Sequence, residues 1–363
     1  MLEIYAGKNA LKTIQDQGFK QELFTNFLGA SGGPKWFTLF GLDKYLFGDF
    51  FQGRNTELNL IGSSAGAFRA AALTQNNPIQ AIERLAHTYA NTVYSKKPSA
   101  KEIASTAVDI VDQLFSKNGA DEVINNNVFK AHFLVAKCNG LTAFDNKLMQ
   151  GAGLIKSILL NKMDRRLLAN QYQRYIFKHP SSNLTIDDPY NFSNVYQNLT
   201  SDNIKSALLA SGSIPMVMSG VKHIDGAVKG TYRDGGIIDY HFDFSLGNNG
   251  ADKQMLESET AEHGLTLYPH FSSEPKAGWF DKNSTRKVLT SSYDNTVLLA
   301  PSKKFINSLP FKKIPDRTDF TKLDATTRIK YWQKVLKETD KLAECFNELI
   351  MKQDLANIKA FQP

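Results

Sequence analysis

Apolar positions along this chain follow two patterns: short unbroken runs that end in glycine, and longer stretches in which they recur every three or four residues. Phe24–Gly29 and Glu57–Ile61 are runs of the first kind and predict buried strands. Each leads into a turn of small residues, Gly29-Ala-Ser-Gly-Gly-Pro and Gly62-Ser-Ser-Ala-Gly, and each turn is followed by the second pattern. After the first turn, Trp36, Phe37, Leu39, Phe40, Leu42, Tyr45, Leu46 and Phe47 recur at helical spacing, and Pro34 suits the first helical position. After the second, Ala67-Phe-Arg-Ala-Ala-Ala-Leu is a strong helix former. Pro78 opens a further helix to about Tyr94, and His132–Cys138 and Leu265–Tyr268 read as strands. Ile155–Ile176 has the spacing of one amphipathic helix, and Asn203–Ala210 that of a short one. Lys229–Asp234 predicts a strand ending at Asp-Gly-Gly. Asp324–Ile358 predicts a long helical stretch with Ile329, Trp332, Val335, Leu336, Leu342, Phe346, Leu349 and Ile350 on one stripe.

Two strand-turn-helix units within the first 75 residues predict an α/β fold. Its central sheet is mostly parallel with flanking helices, followed by a mainly helical C-terminal extension. Right-handed crossovers put both glycine-rich turns at the same edge of the sheet, where open α/β sheets bind ligands. Ser245–Gly250 reads as a loop and a boundary. It separates an α/β domain over residues 1–250 from a basic extension over 251–363 packed against it.

The composition, 42% hydrophobic and 22% charged over 363 residues, is that of a globular chain and excludes disordered, collagen-like and disulfide-scaffold classes. Cys138 and Cys345 fit no CxxC spacing. The N-terminal residues hold no apolar signal-peptide core. No run approaches the roughly 18 apolar residues of a membrane span, so the chain is expected in the cytoplasm. The net charge of +7 is uneven: residues 271–363 hold 17 Lys+Arg against 11 Asp+Glu. Aromatic residues are interleaved with that charge (Phe271, Trp279, Phe280, Phe305 and Phe311 among Lys276, Lys282, Lys303, Lys304, Lys312 and Lys313), which suits peripheral contact with an anionic membrane surface. No zinc-finger spacing or RNP-type motif accompanies it, so nucleic acid is not an expected partner.

The chemistry concentrates in the two turns. G-x-S-x-G is the pattern of a nucleophile elbow, which holds a serine in a strained strand-to-helix turn. It occurs as Gly29-Ala-Ser31-Gly-Gly33 and as Gly62-Ser-Ser64-Ala-Gly66. The second runs from an apolar strand straight into an alanine-rich helix and is the better elbow. In the first, Gly-Gly-Pro delays the helix, and the amides of Gly32 and Gly33 suit an oxyanion hole, with Ser31 as a turn or cap residue. A serine hydroxyl needs a base. Of the seven histidines, His263 and His270 come late enough to serve an ordinary α/β-hydrolase, but neither stands in a distinctive loop. Asp234, ending a strand before two glycines, can act as base if its surroundings raise its pKa. Asp225, in Ile-Asp-Gly-Ala, is its rival and otherwise a turn aspartate.

Four pieces in order resemble the patatin-like phospholipase family: Ser31-Gly32-Gly33 with Lys35, Gly62-Ser-Ser64-Ala-Gly66, Ala210-Ser-Gly-Ser-Ile-Pro215 and Asp234-Gly235-Gly236. Together they span about Phe24 to Asp239. The resemblance implies a lipid acyl hydrolase with Ser64 as nucleophile and Asp234 as its partner in a dyad without histidine, and it favours Asp234 over Asp225. It further implies an oxyanion hole of Gly32, Gly33 and Ala65, an anion contact at Lys35, a lipid ester substrate of phospholipid type, and chemistry that needs neither metal nor cofactor. Two departures are visible. The first loop reads Gly-Ala-Ser-Gly-Gly-Pro-Lys-Trp rather than three consecutive glycines followed by any one residue, a basic residue and glycine, and Trp36 replaces the final glycine. Acyl transfer to an alcohol or thiol by the same dyad, and a non-catalytic membrane-surface or partner-binding protein with vestigial motifs, stay open as alternatives. The oligomeric state is not legible.

Overall fold

A computed structural model describes residues 1–248 and 264–363 of the protein. Its strands in chain order are β1 (Leu2–Ala6), β2 (Phe24–Gly29), β3 (Leu58–Ser63), β4 (Phe129–Cys138), β5 (Tyr172–Lys178), β6 (Leu184–Asp187), β7 (Asn194–Asn198), β8 (Thr231–Asp234), β9 (Ser245–Asn248), β10 (Leu265–Pro269), β11 (Thr296–Pro301) and β12 (Lys359–Ala360). The helices are α1 (Lys8–Gln17), α2 (Phe40–Tyr45), α3 (Ala65–Leu73), α4 (Pro78–Ala90), α5 (Ala100–Phe115), α6 (Gly119–Asn125), α7 (Lys147–Met163), α8 (Ile204–Ser211), α9 (Lys303–Ser308), α10 (Asp319–Lys322), α11 (Ala325–Glu338) and α12 (Asp340–Lys352).

Ten strands form the central sheet in the order β12-β1-β11-β10-β2-β3-β4-β5-β7, with β8 paired to β4. From β11 through β10, β2 and β3 to β4 the pairing is parallel. A sheet buried on both faces explains why β2 and β3 read as unbroken apolar runs. Alternate residues divide between two cores. Phe27, Leu60, Phe133 and Val297 face the larger one, beneath a layer of helices that includes α3, α4, α5 and α8. Leu28, Ile61, Leu134 and Leu298 face a smaller one on the other side. Trp332 and Val335 of α11, and Leu342 and Phe346 of α12, complete the larger core, as the C-terminal stripe predicts. Residues on both sides of position 250 share the sheet, since β10 and β11 stand between β2 and β1.

Three sequence expectations change. The amphipathic stretch 155–176 is not one helix. α7 ends at Met163, a 3-10 turn spans Arg165–Asn170, and β5 follows. Asp164 turns the chain by accepting the Arg166 amide at 2.9 Å, and seven residues of β5 find partners on β4, which outweighs local helical spacing. Ser245–Asn248 is not a loop but β9, antiparallel to β6; residues 249–250 lie outside the described residues. Finally, the aromatics of the basic C-terminal region do not form an exposed face. Phe271 and Phe305 are core residues and Trp279 and Phe280 are partly covered, which leaves Phe311 exposed. Among the described residues, no helix is long and apolar enough to cross a membrane.

Candidate active site

Strand β4 brings the two halves of the site together. Along one edge it pairs first with β3 and then, where β3 ends, with β8. Leu134 is opposite Ser63 and the next residue, Val135, is opposite Asp234. The residue that leaves β3, Ser64, therefore meets the residue that ends β8. Ser64 Oγ donates to Asp234 Oδ2 at 2.8 Å, and both side chains are buried.

The elbow is tight. Ser64 has φ 51° and ψ −125°, a left-handed conformation that costs a non-glycine residue on the order of 1–3 kcal/mol and persists only where its surroundings enforce it. Close packing of the chain is the enforcement. A Cβ on Gly66 would lie 1.7 Å from the Gly29 carbonyl oxygen, so the two glycine-rich turns touch backbone to backbone. Behind the elbow, Arg69 of α3 makes a bidentate, fully buried pair with Asp43 of α2 at 2.6 and 2.8 Å. The Ser64 amide donates to Ser211 Oγ at 3.0 Å, and Ser211 Oγ donates to the Leu134 carbonyl at 2.8 Å. The Asp234 amide donates to the Ser213 carbonyl at 3.0 Å. The Ala-Ser-Gly-Ser-Ile-Pro segment thus fastens both members of the pair.

Asp234 Oδ1 accepts the Gly236 amide at 2.8 Å, which leaves Oδ2 directed at Ser64. Burial holds the Asp234 carboxyl above the ordinary aspartate range. The nearby Arg317 guanidinium, the Ser64 hydroxyl, the Gly236 amide and Lys282 pull the other way.

Two hollows meet at Ser64. One is an apolar cavity of about 360 Å³ bordered by Gly33, Ala65, Phe68, Tyr89, Ile214 and Phe320. The other is a notch of about 20 Å³ bordered by Gly32, Asp234, Tyr240, Lys282 and Arg317. Gly32 and Gly33 take φ 142° and 56°, values that favour glycine, and Phe271 and Arg317 lie against them where a Cβ would point. Among the described residues, no hydrogen bond engages the amides of Gly32, Gly33 or Ala65.

The other sequence candidates stand elsewhere. Ser31 is tied into the scaffold, with its Oγ 2.7 Å from Ser63 Oγ. Asp225 lies exposed in a turn. His270 is buried against His241 and Phe271, pushed down to about 3 by burial, and among the described residues no histidine borders either hollow. His263 lies outside the described residues. Lys35 borders neither hollow; its ammonium is 3.7 Å from Asp316.

Sequence reading missed two cations that do border the site. Arg317 lies over Gly33 and lines both hollows. Lys282 lies 4.0 Å from the Tyr240 ring centre. It keeps exposed surface, yet poor hydration at the site and the neighbouring Arg317 push its ammonium down to about 8. Among the described residues neither cation has a carboxylate within ion-pair distance. No motif marks either, and both come from the segment after β10, far in sequence from the elbow.

Residues 58–241 match the family model described as Patatin-like phospholipase. No curated protein matches the chain.

Proposed function

The chain belongs to the patatin-like phospholipase family, and on that premise we propose that it is a lipid acyl hydrolase that works through Ser64 and Asp234. The observation that carries this reading is the 2.8 Å hydrogen bond to a buried carboxylate from Ser64 Oγ, on a residue that borders the apolar cavity. A carboxylate with a raised pKa is a competent general base. It takes the Ser64 proton as Oγ attacks the ester carbonyl carbon. The tetrahedral intermediate collapses, the alcohol leaves with the proton from Asp234, and the acyl group stays on Ser64. Water then attacks this ester and gives a proton to Asp234. The carboxylic acid departs and the proton returns to Ser64 Oγ.

The free amides of Gly32, Gly33 and Ala65 are the oxyanion donors in this mechanism. Loss of one such donor costs about 2.7–4 kcal/mol of transition-state stabilisation in serine hydrolases. The apolar cavity receives the acyl chain, and the cations Arg317 and Lys282 beside Ser64 attract an anionic group next to the ester. That division favours a phospholipid over a neutral glyceride.

A lipid panel assayed with the wild type and Ser64→Ala tests the reading. Fatty acid released from phospholipids by the wild type alone is the expected result, and equal release by both proteins would refute it. Arg317→Ala is expected to raise KM for an anionic phospholipid about tenfold, the size of one charge-assisted contact, and to leave KM for an uncharged p-nitrophenyl ester nearly unchanged. An equal rise for both substrates would remove Arg317 from anion recognition.

A further inference from the structure

Helix α7 is inside out. The residues it buries are Gln150, Gly153, Ser157 and Asn161. Each polar side chain among them is satisfied within the protein. Gln150 Nε2 donates to the Phe144 carbonyl at 2.9 Å, Ser157 Oγ lies 2.8 Å from Tyr172 Oη, and Asn161 Nδ2 donates to Asp281 at 2.8 Å. The opposite face is apolar and faces outward: Leu148, Ile155, Leu159 and Met163 are 84%, 61%, 58% and 77% exposed, with Met149 and Ile158 beside them. Surface helices of a self-contained globular protein show the reverse arrangement, and contiguous apolar surface of this kind marks an interaction site.

Charge narrows the occupant. Lys147, Lys156 and Lys162 are exposed on α7, and the helix holds no Asp or Glu. The flanking carboxylates are engaged, Asp145 with Lys222 and Arg233, and Asp164 with Arg166. A second copy placed symmetrically on this face would set α7 against its own copy, lysines on both sides and no carboxylate on either helix to offset them. An apolar interior under an anionic surface fits instead, and that is a bilayer. The patch also continues to the catalytic cavity. The Met216 amide donates to Gln150 Oε1 at 2.5 Å, Met216 and Val217 are exposed, and Val217 lines the cavity at Ser64.

We infer that the outward face of α7 docks on an anionic lipid bilayer and sets the cavity mouth against it. The choice of lipid over protein rests on the function proposed above, so the test reads binding without turnover.

The full-length wild type and Ser64→Ala are sedimented with vesicles of phosphatidylcholine alone or with one-third phosphatidylglycerol. Both proteins are expected to bind the anionic vesicles preferentially. Ile155→Glu/Leu159→Glu and Lys147→Gln/Lys156→Gln/Lys162→Gln, made in the wild type, are each expected to weaken that binding at least about tenfold and to leave turnover of a soluble short-chain ester unchanged. Absence of wild-type binding, or binding by the variants equal to that of the wild type, overturns the inference. So does a wild-type dimer in light scattering that Ile155→Glu/Leu159→Glu converts to monomer, because the occupant is then a second copy. A chain that binds vesicles but releases no fatty acid refutes the hydrolase and leaves the docking surface standing.

Discussion

Ser64→Ala is expected to lower kcat for a p-nitrophenyl ester by at least about 10⁴-fold, the scale on which loss of a serine nucleophile acts in other hydrolases. The size follows from the geometry, because neither adjoining serine is free to substitute. Ser63 Oγ donates to the Asp239 carbonyl at 2.5 Å, and Ser31 Oγ is held by Ser63. Asp239 is in turn clamped by a bidentate pair with Arg174 at 2.6 and 2.7 Å. The fold is expected to survive, since alanine tolerates the elbow backbone about as well as serine and the glycine contacts that shape the turn do not involve Oγ. Steady-state kinetics alongside circular dichroism checks both halves. A native spectrum with wild-type turnover would remove Ser64 from the reaction.

The second large effect is expected at Asp234. Asparagine in its place keeps the shape but cannot take a proton, and removal of a directly bonded base costs about 10²–10⁴-fold in rate. The pH profile carries the more specific signature. The base works as a carboxylate, so activity falls as pH drops through its pKa. Burial raises that pKa, and the acid limb of kcat/KM is expected above the ordinary aspartate range. Arg317 favours the ionised form, so Arg317→Ala is expected to move the limb to still higher pH. Asp234→Asn is expected to abolish this limb and leave a low, flat rate. An acid limb that stays in place in Asp234→Asn would assign it to another group.

The elbow was legible in the sequence because its determinants are local. A run of apolar residues, glycines where two turns touch, and an alanine-rich helix lie within a few positions of one another, and the backbone reads them in order. Asp234 was legible through its glycines and by resemblance, although what carries it to Ser64 is the change of partner along β4, a long-range fact no spacing displays. Arg317 and Lys282 were illegible for that reason: each is an ordinary cation on an irregular segment, placed by the packing of the C-terminal region over Gly33 and Tyr240. Lys35 was the more visible residue and is engaged by Asp316 instead. α7 failed in a different way. Periodicity detects a stripe and assumes that its apolar side faces inward, whereas here Ser157 and Asn161 turn in because Tyr172 and Asp281 wait there as partners. The helix also ends sooner than its spacing suggests, because β4 needs an edge partner and β5 supplies it.

Covalent labelling identifies the nucleophile itself. The wild type, Ser64→Ala and Asp234→Asn are incubated with a fluorophosphonate, digested and mapped by mass spectrometry. The expected result is one phosphonylated residue in the wild type, Ser64, with no adduct in Ser64→Ala and slow labelling in Asp234→Asn. An adduct on Ser31 or any other serine, with Ser64 unmodified and esterase activity abolished, would contradict it.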